Sequence, residues 1–167
     1  MVTRPLAVAA VIVVLAVGGW YAYGWLWPDE PARVRAAVET LARTVTGAGT
    51  AGQGAGQLAV LADLRSQLAE GVTLEAPRRA LLVEGRDQVL GLVARAAGQG
   101  QLALTFVDVT VTMAGDGATA TVDATAELSE TSRAGAESFD AQQVQMVWTR
   151  QGQSWLLASV KAIDVLQ

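Results

Sequence analysis

The stretch Phe139-Asp140-Ala141-Gln142-Gln143-Val144-Gln145-Met146-Val147-Trp148-Thr149-Arg150, then Gln151-Gly152-Gln153, then Ser154-Trp155-Leu156-Leu157-Ala158-Ser159-Val160-Lys161-Ala162-Ile163-Asp164-Val165-Leu166, reads as two strands and a tight turn. Val144, Met146 and Trp148 share one parity, and Gln143, Gln145 and Thr149 share the other, with Val147 the exception. A period of two is the pattern of a half-buried strand. A sheet with one apolar face needs a cover, which must come from upstream.

Immediately upstream the alternation continues. From Leu102 to Met113, Val107, Val109, Val111 and Met113 fall on one parity, and Phe106, Asp108, Thr110 and Thr112 on the other. Gly115-Asp116-Gly117 is a turn. Ala118 to Leu128 then alternates small or apolar residues with Thr119, Thr121, Asp123, Thr125 and Glu127. Ser129 to Ser138 reads as a polar loop.

The cover is helical. Pro31 to Val45 carries Val34, Val38, Leu41 and Val45 on one face, with Arg35, Glu39 and Arg43 in a solvated row opposite. Gln57 to Glu70 is a second helix with Leu58, Leu61, Leu64 or Arg65, and Leu68 on its stripe, stopped by Gly71. Val72 to Ala76 is a short strand closed by Pro77. Gly85-Arg86-Asp87-Gln88 opens a third helix, with Val89, Leu92, Val93 and Ala96 buried. Between the first two helices, residues 46–56 hold five glycines in eleven residues, which reads as a flexible loop. It lacks the Lys-Ser/Thr pair of a phosphate loop.

Leu6 to Trp27 runs for 22 residues without a charge. As a helix it would extend about 33 Å, enough for a hydrocarbon core of about 30 Å. Trp20, Tyr21, Tyr23, Trp25 and Trp27 crowd its C-terminal end as an interfacial belt, and Pro28 ends it. The competing reading is a cleaved signal peptide with Val8 to Val17 as its apolar core, but bulky aromatics occupy the place of a small-residue cleavage site. The expected organisation is therefore residues 1–28 as a transmembrane signal anchor and 29–167 as a folded domain. The lipid bilayer is the partner of residues 6–27, and the domain is expected on the extracytoplasmic, periplasmic side of a bacterial cell envelope.

Composition narrows the chemistry. The chain has no Cys and no His, and its net charge is −4. Cysteine-ligated metals, thiolate nucleophiles and the usual neutral-pH base are excluded. Without a clustered basic patch, nucleic acid is not an expected partner. The expectation is no catalytic constellation, no cofactor and no metal site.

Helix, helix, short strand, helix, then four long strands with short loops make the class α+β, with three helices packed on a curved antiparallel sheet. On the two early helices, Gly85-Arg86-Asp87 before the third, and the closing Gly152-Gln153-Ser154-Trp155-Leu156-Leu157, the chain from Pro31 to Gln167 resembles the nuclear transport factor 2-like (NTF2-like, SnoaL-like) superfamily. The resemblance implies a cone: a bent sheet wrapping helices around a pocket. Enzymes of that superfamily commonly use an Asp–His pair or a Tyr with acids. Here His is absent, and Tyr21 and Tyr23 are the only tyrosines. An anchor before such a domain is similar to VirB8-like secretion components and to Mce-associated membrane proteins, which are envelope assembly parts.

A ligand pocket, if open, would be lined by Val107, Val109, Val122, Val144, Met146 and Trp148; the plain alternative is a closed core. Asp63, Asp87, Asp108 and Asp164 are the acids weighed for the pocket mouth, against capping or simple exposure. Lys161 reads as a surface residue, and Trp148 and Trp155 as core anchors. The outer sheet face (Gln143, Gln145, Val147, Thr149) suits a homodimer or an envelope protein partner. The leading functional expectation is a non-catalytic binding or assembly module. The alternative is a SnoaL-like isomerase or dehydratase using one pocket carboxylate on a small apolar substrate. A weaker third reading places the domain in the cytoplasm as an inner-leaflet tether.

Overall fold

Helix α1 covers Glu30–Thr50, α2 Ala55–Gln67 and α3 Arg86–Gln99; the strands are β1 (Leu68–Ala76), β2 (Leu81–Glu84), β3 (Gly100–Met113), β4 (Thr119–Ser132), β5 (Glu137–Gln151) and β6 (Ser154–Ala162). They are seen in a computed structural model that describes residues 29–51, 54–77, 80–132 and 134–163. The chain divides by its internal contacts into Met1–Glu30 and Pro31–Gln167, and α1 starts at that border. The expected anchor, Leu6 to Trp27, lies outside the described residues. Among the described residues no helix is long and apolar enough to cross a membrane.

The sheet has six strands in the order β2-β1-β6-β5-β4-β3. The β3–β6 meander is antiparallel throughout. The expectation of a wholly antiparallel sheet is corrected at one pair, because β1 runs parallel to β6. Short loops exclude parallel pairing only between consecutive strands. Here β2, α3 and three strands separate the two partners, so the connection is long enough. β2 was not expected at all. Four residues between a turn and a helix give too short a pattern to read, and Leu82 on it is 63% exposed.

The helix boundaries also differ. α1 continues to Thr50 through the first glycines of the segment read as a loop, leaving a shorter connection to Ala55. The glycines there allow close packing. A Cβ on Gly49 would run into the main-chain nitrogen of Leu102 and come 2.9 Å from its carbonyl oxygen, so only glycine lets α1 approach β3 at this point. Further on, α2 ends at Gln67, and Leu68 turns directly into extended backbone (φ −103°, ψ 136°). Gly71 therefore lies inside β1 and does not stop a helix. Leu58, assigned to the buried stripe of α2, is 70% exposed.

Two bulges decide which side chains point inward. In β3, Val107 opposes Thr125 while Thr110 opposes Asp123, so residues 108 and 109 together face Ala124. Asp108 sits there at φ 54°, a left-handed conformation that Asp tolerates better than most residues. In β6, Ser159 opposes Val147 while Leu157 opposes Trp148, leaving Ala158 extra. Each bulge reverses strand parity. Leu102 and Phe106 before the first bulge therefore join Val111 and Met113 after it on the inner side.

That inner side is packed solid at its centre. Trp148, Met146, Val122 and Ala120 have no exposed area, and Val34 of α1 lies fully buried in the same cluster. Burying each such large apolar side chain contributes about 1.5–3 kcal/mol. Two hairpin turns are built as read, whereas the polar segment Ser129 to Ser138, read as a loop, is strand at both ends because β4 runs to Ser132 and β5 starts at Glu137. Gly117 (φ 64°) and Gly152 (φ 63°) take the left-handed positions. Asp116 Oδ1 accepts the N–H groups of Ala118 (2.8 Å) and Thr119 (2.9 Å), and Oδ2 accepts the Thr119 hydroxyl (2.9 Å).

Candidate functional site

A groove of about 570 Å³ lies between α1 and the edge strand β3, away from the centre of the sheet. Val38, Ala42 and Gly47 of α1, with Leu104, Phe106 and Val109 of β3, supply its apolar lining; Arg35, Glu39 and Arg43 supply charge.

The groove exists because α1 both covers and interrupts the β3 edge. An exposed edge offers unpaired N–H and C=O groups to other chains, and proteins blunt such edges with side chains or helices. Here the Thr46 hydroxyl accepts from the Leu104 N–H (3.0 Å) and donates to the Leu104 C=O (3.3 Å). About three turns before Thr46 on α1, Arg35 Nη2 donates to the Val109 carbonyl at 3.4 Å. Phe106 lies between these two tethers. By the alternation of an antiparallel ladder, its N–H and C=O point the same way as those of Leu104, away from β4 and into the groove.

The residues expected to line a pocket separate into three places. Val109 lines the groove. Val122, Met146 and Trp148 are fully buried in the closed core, with Val144 7% exposed beside them. Val107 is turned to the opposite sheet face, opposite Thr125, because the β3 bulge follows it directly. Strict alternation carried across the strand would put Val107 and Val109 together, and the bulge is what separates them.

The candidate acids do not converge either. Asp63 is exposed on α2, and Asp87 at the start of α3 pairs with Arg65 at 2.7 Å with side chains 80% and 53% exposed. Asp108 is exposed at the bulge. Asp164 lies outside the described residues. Lys161 faces Glu75 across the β6–β1 pair at 3.5 Å, both well exposed. Surface pairs of this kind contribute about 0–1 kcal/mol. Among the described residues no three Asp, Glu, His or Cys side chains stand close enough to hold a metal ion. The Asp116 carboxyl is held below its ordinary value by hydrogen bonds from the Ala118 N–H, the Thr119 hydroxyl and the Thr119 N–H. It fixes a turn and lies in no cavity.

The outer sheet face is a second candidate surface. Thr119, Thr121, Asp123 and Thr125 of β4 stand in register with Thr149, Val147, Gln145 and Gln143 of β5. Gln145 Nε2 donates to Asp123 Oδ1 at 2.9 Å, locking part of that row. Farther along the same face, opposite Ser129, Phe139 is 66% exposed.

With this geometry in hand, known proteins give a sharp result for the fold. No family model and no curated protein matches the chain. Solved structures match well. A candidate dehydratase of the NTF2-like family from Streptomyces avermitilis has a TM-score of 0.65 at 22% identity, over 84% of this chain and 100% of its own. An NTF2-like protein with a cystatin-like fold from Novosphingobium aromaticivorans has a TM-score of 0.62 at 15% identity, over 86% of each chain. The fold is NTF2-like. The CamKII hub homology domain of Chlamydomonas reinhardtii shares it too, with a TM-score of 0.61 at 19% identity over 83% of this chain and 100% of that domain. At these identities the likeness concerns architecture, and the NTF2-like frame serves both candidate enzymes and a hub domain.

The groove was not expected, although Arg35, Glu39 and Arg43 are exposed as a solvated row should be and line it as well. The available signal was Thr46 and Thr50, which continue the spacing of Arg35, Glu39, Ala42 and Arg43 once the helix is allowed to run through the glycines.

Proposed function

We propose that this NTF2-like domain is a binding and assembly module and not a catalyst, held on the extracytoplasmic side of a membrane by Leu6 to Trp27. The observation that carries the non-catalytic reading is the filled inner side of the sheet. Around Trp148, Met146 and Val122 the packing is closed, and among the described residues no polar or charged side chain belongs to the fully buried set. A general base with a raised pKa needs a carboxylate in such a desolvated place. The acids described on Asp63, Asp87 and Asp108 are exposed on three different elements.

Binding then falls to the groove and to the outer sheet face. The outer face favours self-association, since threonines, glutamines and the exposed Phe139 can be desolvated at small cost compared with a charged face. The likeness to a hub domain supports the same reading. Light scattering on the detergent-extracted full chain tests it. The expected mass is that of more than one copy, falling to one copy in Val147→Glu, which puts a charge in the middle of that face. A single copy for both proteins contradicts self-association. A C-terminal alkaline phosphatase fusion tests the placement: active phosphatase is expected, and an inactive one with a fluorescent partner fusion overturns it.

A second reading, a small-substrate enzyme, is favoured by one observation: Glu39 lines the groove between Arg35 and Arg43. It predicts that Glu39→Gln abolishes any turnover while leaving ligand binding in the groove intact.

A further inference from the structure

The α1 side of the groove is one helix face kept from Arg35 to Thr50, about 22 Å at 1.5 Å per residue. Toward the start of α1, Val38, Phe106 and Val109 stand beside Arg35 and Glu39; toward the end, Leu104 and Gly47 stand beside Arg43, Thr46, Thr50 and Thr105. In that second half most hydrogen-bonding capacity is already committed. Thr46 is occupied with Leu104, and the Thr50 hydroxyl donates to the Gly47 carbonyl at 3.2 Å. The Arg43 guanidinium is the exception. Its hydrogen bond goes to the Thr40 hydroxyl on its own helix, at 3.0 Å, and among the described residues no carboxylate lies within ion-pair distance of it. Arg35 at the other end likewise bonds a carbonyl and no acid. Two arginines against the single carboxylate of Glu39 leave the groove with a net positive charge.

We propose that the groove holds an acyl chain bearing one acidic headgroup, with the carboxylate on Arg43 and the chain laid over Phe106 and Val109. The volume of about 570 Å³ falls within the roughly 300–1,000 Å³ of small-ligand sites. Among the described residues the Arg43 guanidinium is in no ion pair, and although Glu39 lines the same groove, the guanidinium remains a forked donor suited to a ligand carboxylate. The unpaired edge of Phe106 adds one N–H along the way. This assignment rests on reading the domain as a binding module and names the ligand class of its groove.

The test is photolabelling of the full chain in membranes with a diazirine-bearing decanoic acid, followed by mapping of the adducts. Adducts are expected on peptides carrying Phe106 and Val109. The corresponding diazirine alcohol should label these peptides roughly tenfold less, since it lacks the charge-assisted bond. Arg43→Glu should reduce groove labelling by the acid at least tenfold, Arg43→Lys should retain only part of it because the charge remains and the fork is lost, and the distant Arg95→Glu should leave it unchanged. Adducts elsewhere, equal labelling by the alcohol, or indifference to Arg43→Glu would overturn the proposal. Circular dichroism of each variant separates lost binding from lost fold. Light scattering on the same samples reads self-association independently, so a failed ligand assignment is distinguishable from a failed binding-module reading.

Discussion

The centre of the sheet and its β3 edge are made from similar residues and end in opposite states. At the centre, β4 and β5 run in unbroken register, and Ala120, Val122, Met146 and Trp148 interleave with no exposed area. At the edge, one extra residue in β3 turns the strand, and α1 is held off by a hydroxyl bridge at Thr46 and a guanidinium at Arg35. Apolar surface alone therefore does not make a cavity. Regular pairing lets side chains close up, whereas a bulge and polar tethers keep Phe106 and Val109 only partly covered.

The difference can be broken first at the centre. Trp148→Ala should cost about 3–5 kcal/mol, because a large cavity opens where nothing can collapse into it. Urea unfolding of the domain signal reads this directly. Trp148→Phe should cost less than about 1.5 kcal/mol, because the indole N–H that goes with it has no acceptor in the fold.

The next largest effect lies where α1 touches β3. Gly49→Val should cost about 1–3 kcal/mol, because the new side chain meets the Leu102 backbone and must push the helix away. Thr46→Val keeps the shape and removes the hydroxyl. It should cost about 1–2 kcal/mol and speed amide exchange at Leu104, whose N–H then loses its acceptor. If exchange at Leu104 is unchanged, the edge is protected by something other than Thr46.

The smallest effects belong to the surface. Lys161→Met should change stability by no more than about 0.5 kcal/mol, since the pair with Glu75 is exposed. Asp116 has its carboxyl held below the ordinary value, so its contribution is present above the unfolded pKa and is lost as pH falls through the lower folded value. NMR titration of the Ala118 and Thr119 amides should follow that low-pH step, and Asp116→Ala should remove it.

Most of the architecture was readable from residue patterns because it is local. Alternation at Val144, Met146 and Trp148 and glycine turns at 115–117 and 152 report single strands and single hairpins. The parallel pairing of β1 with β6 depends on residues nearly ninety positions apart (Leu68 with Leu157, Thr73 with Ser159), for which no local pattern exists. The bulges at Asp108 and Ala158 each hinge on one residue, so parity read across them inverts, and Val107 was assigned to the wrong face as a result. The groove was hidden for a related reason. Five glycines suggest a flexible loop, and only the close approach of Leu102 explains why Gly49 is helical.

The central claim is that the inner side of this sheet is closed and that open apolar space lies at the α1–β3 groove. Methyl NMR of the protein under xenon pressure tests it most directly, since xenon enters apolar space without regard to headgroup chemistry. The account predicts shifts at Val38 and Val109 with none at Met146, Val122 or Val144. Shifts at Met146 and Val122 would contradict it, by placing a hollow where the structure has a packed core.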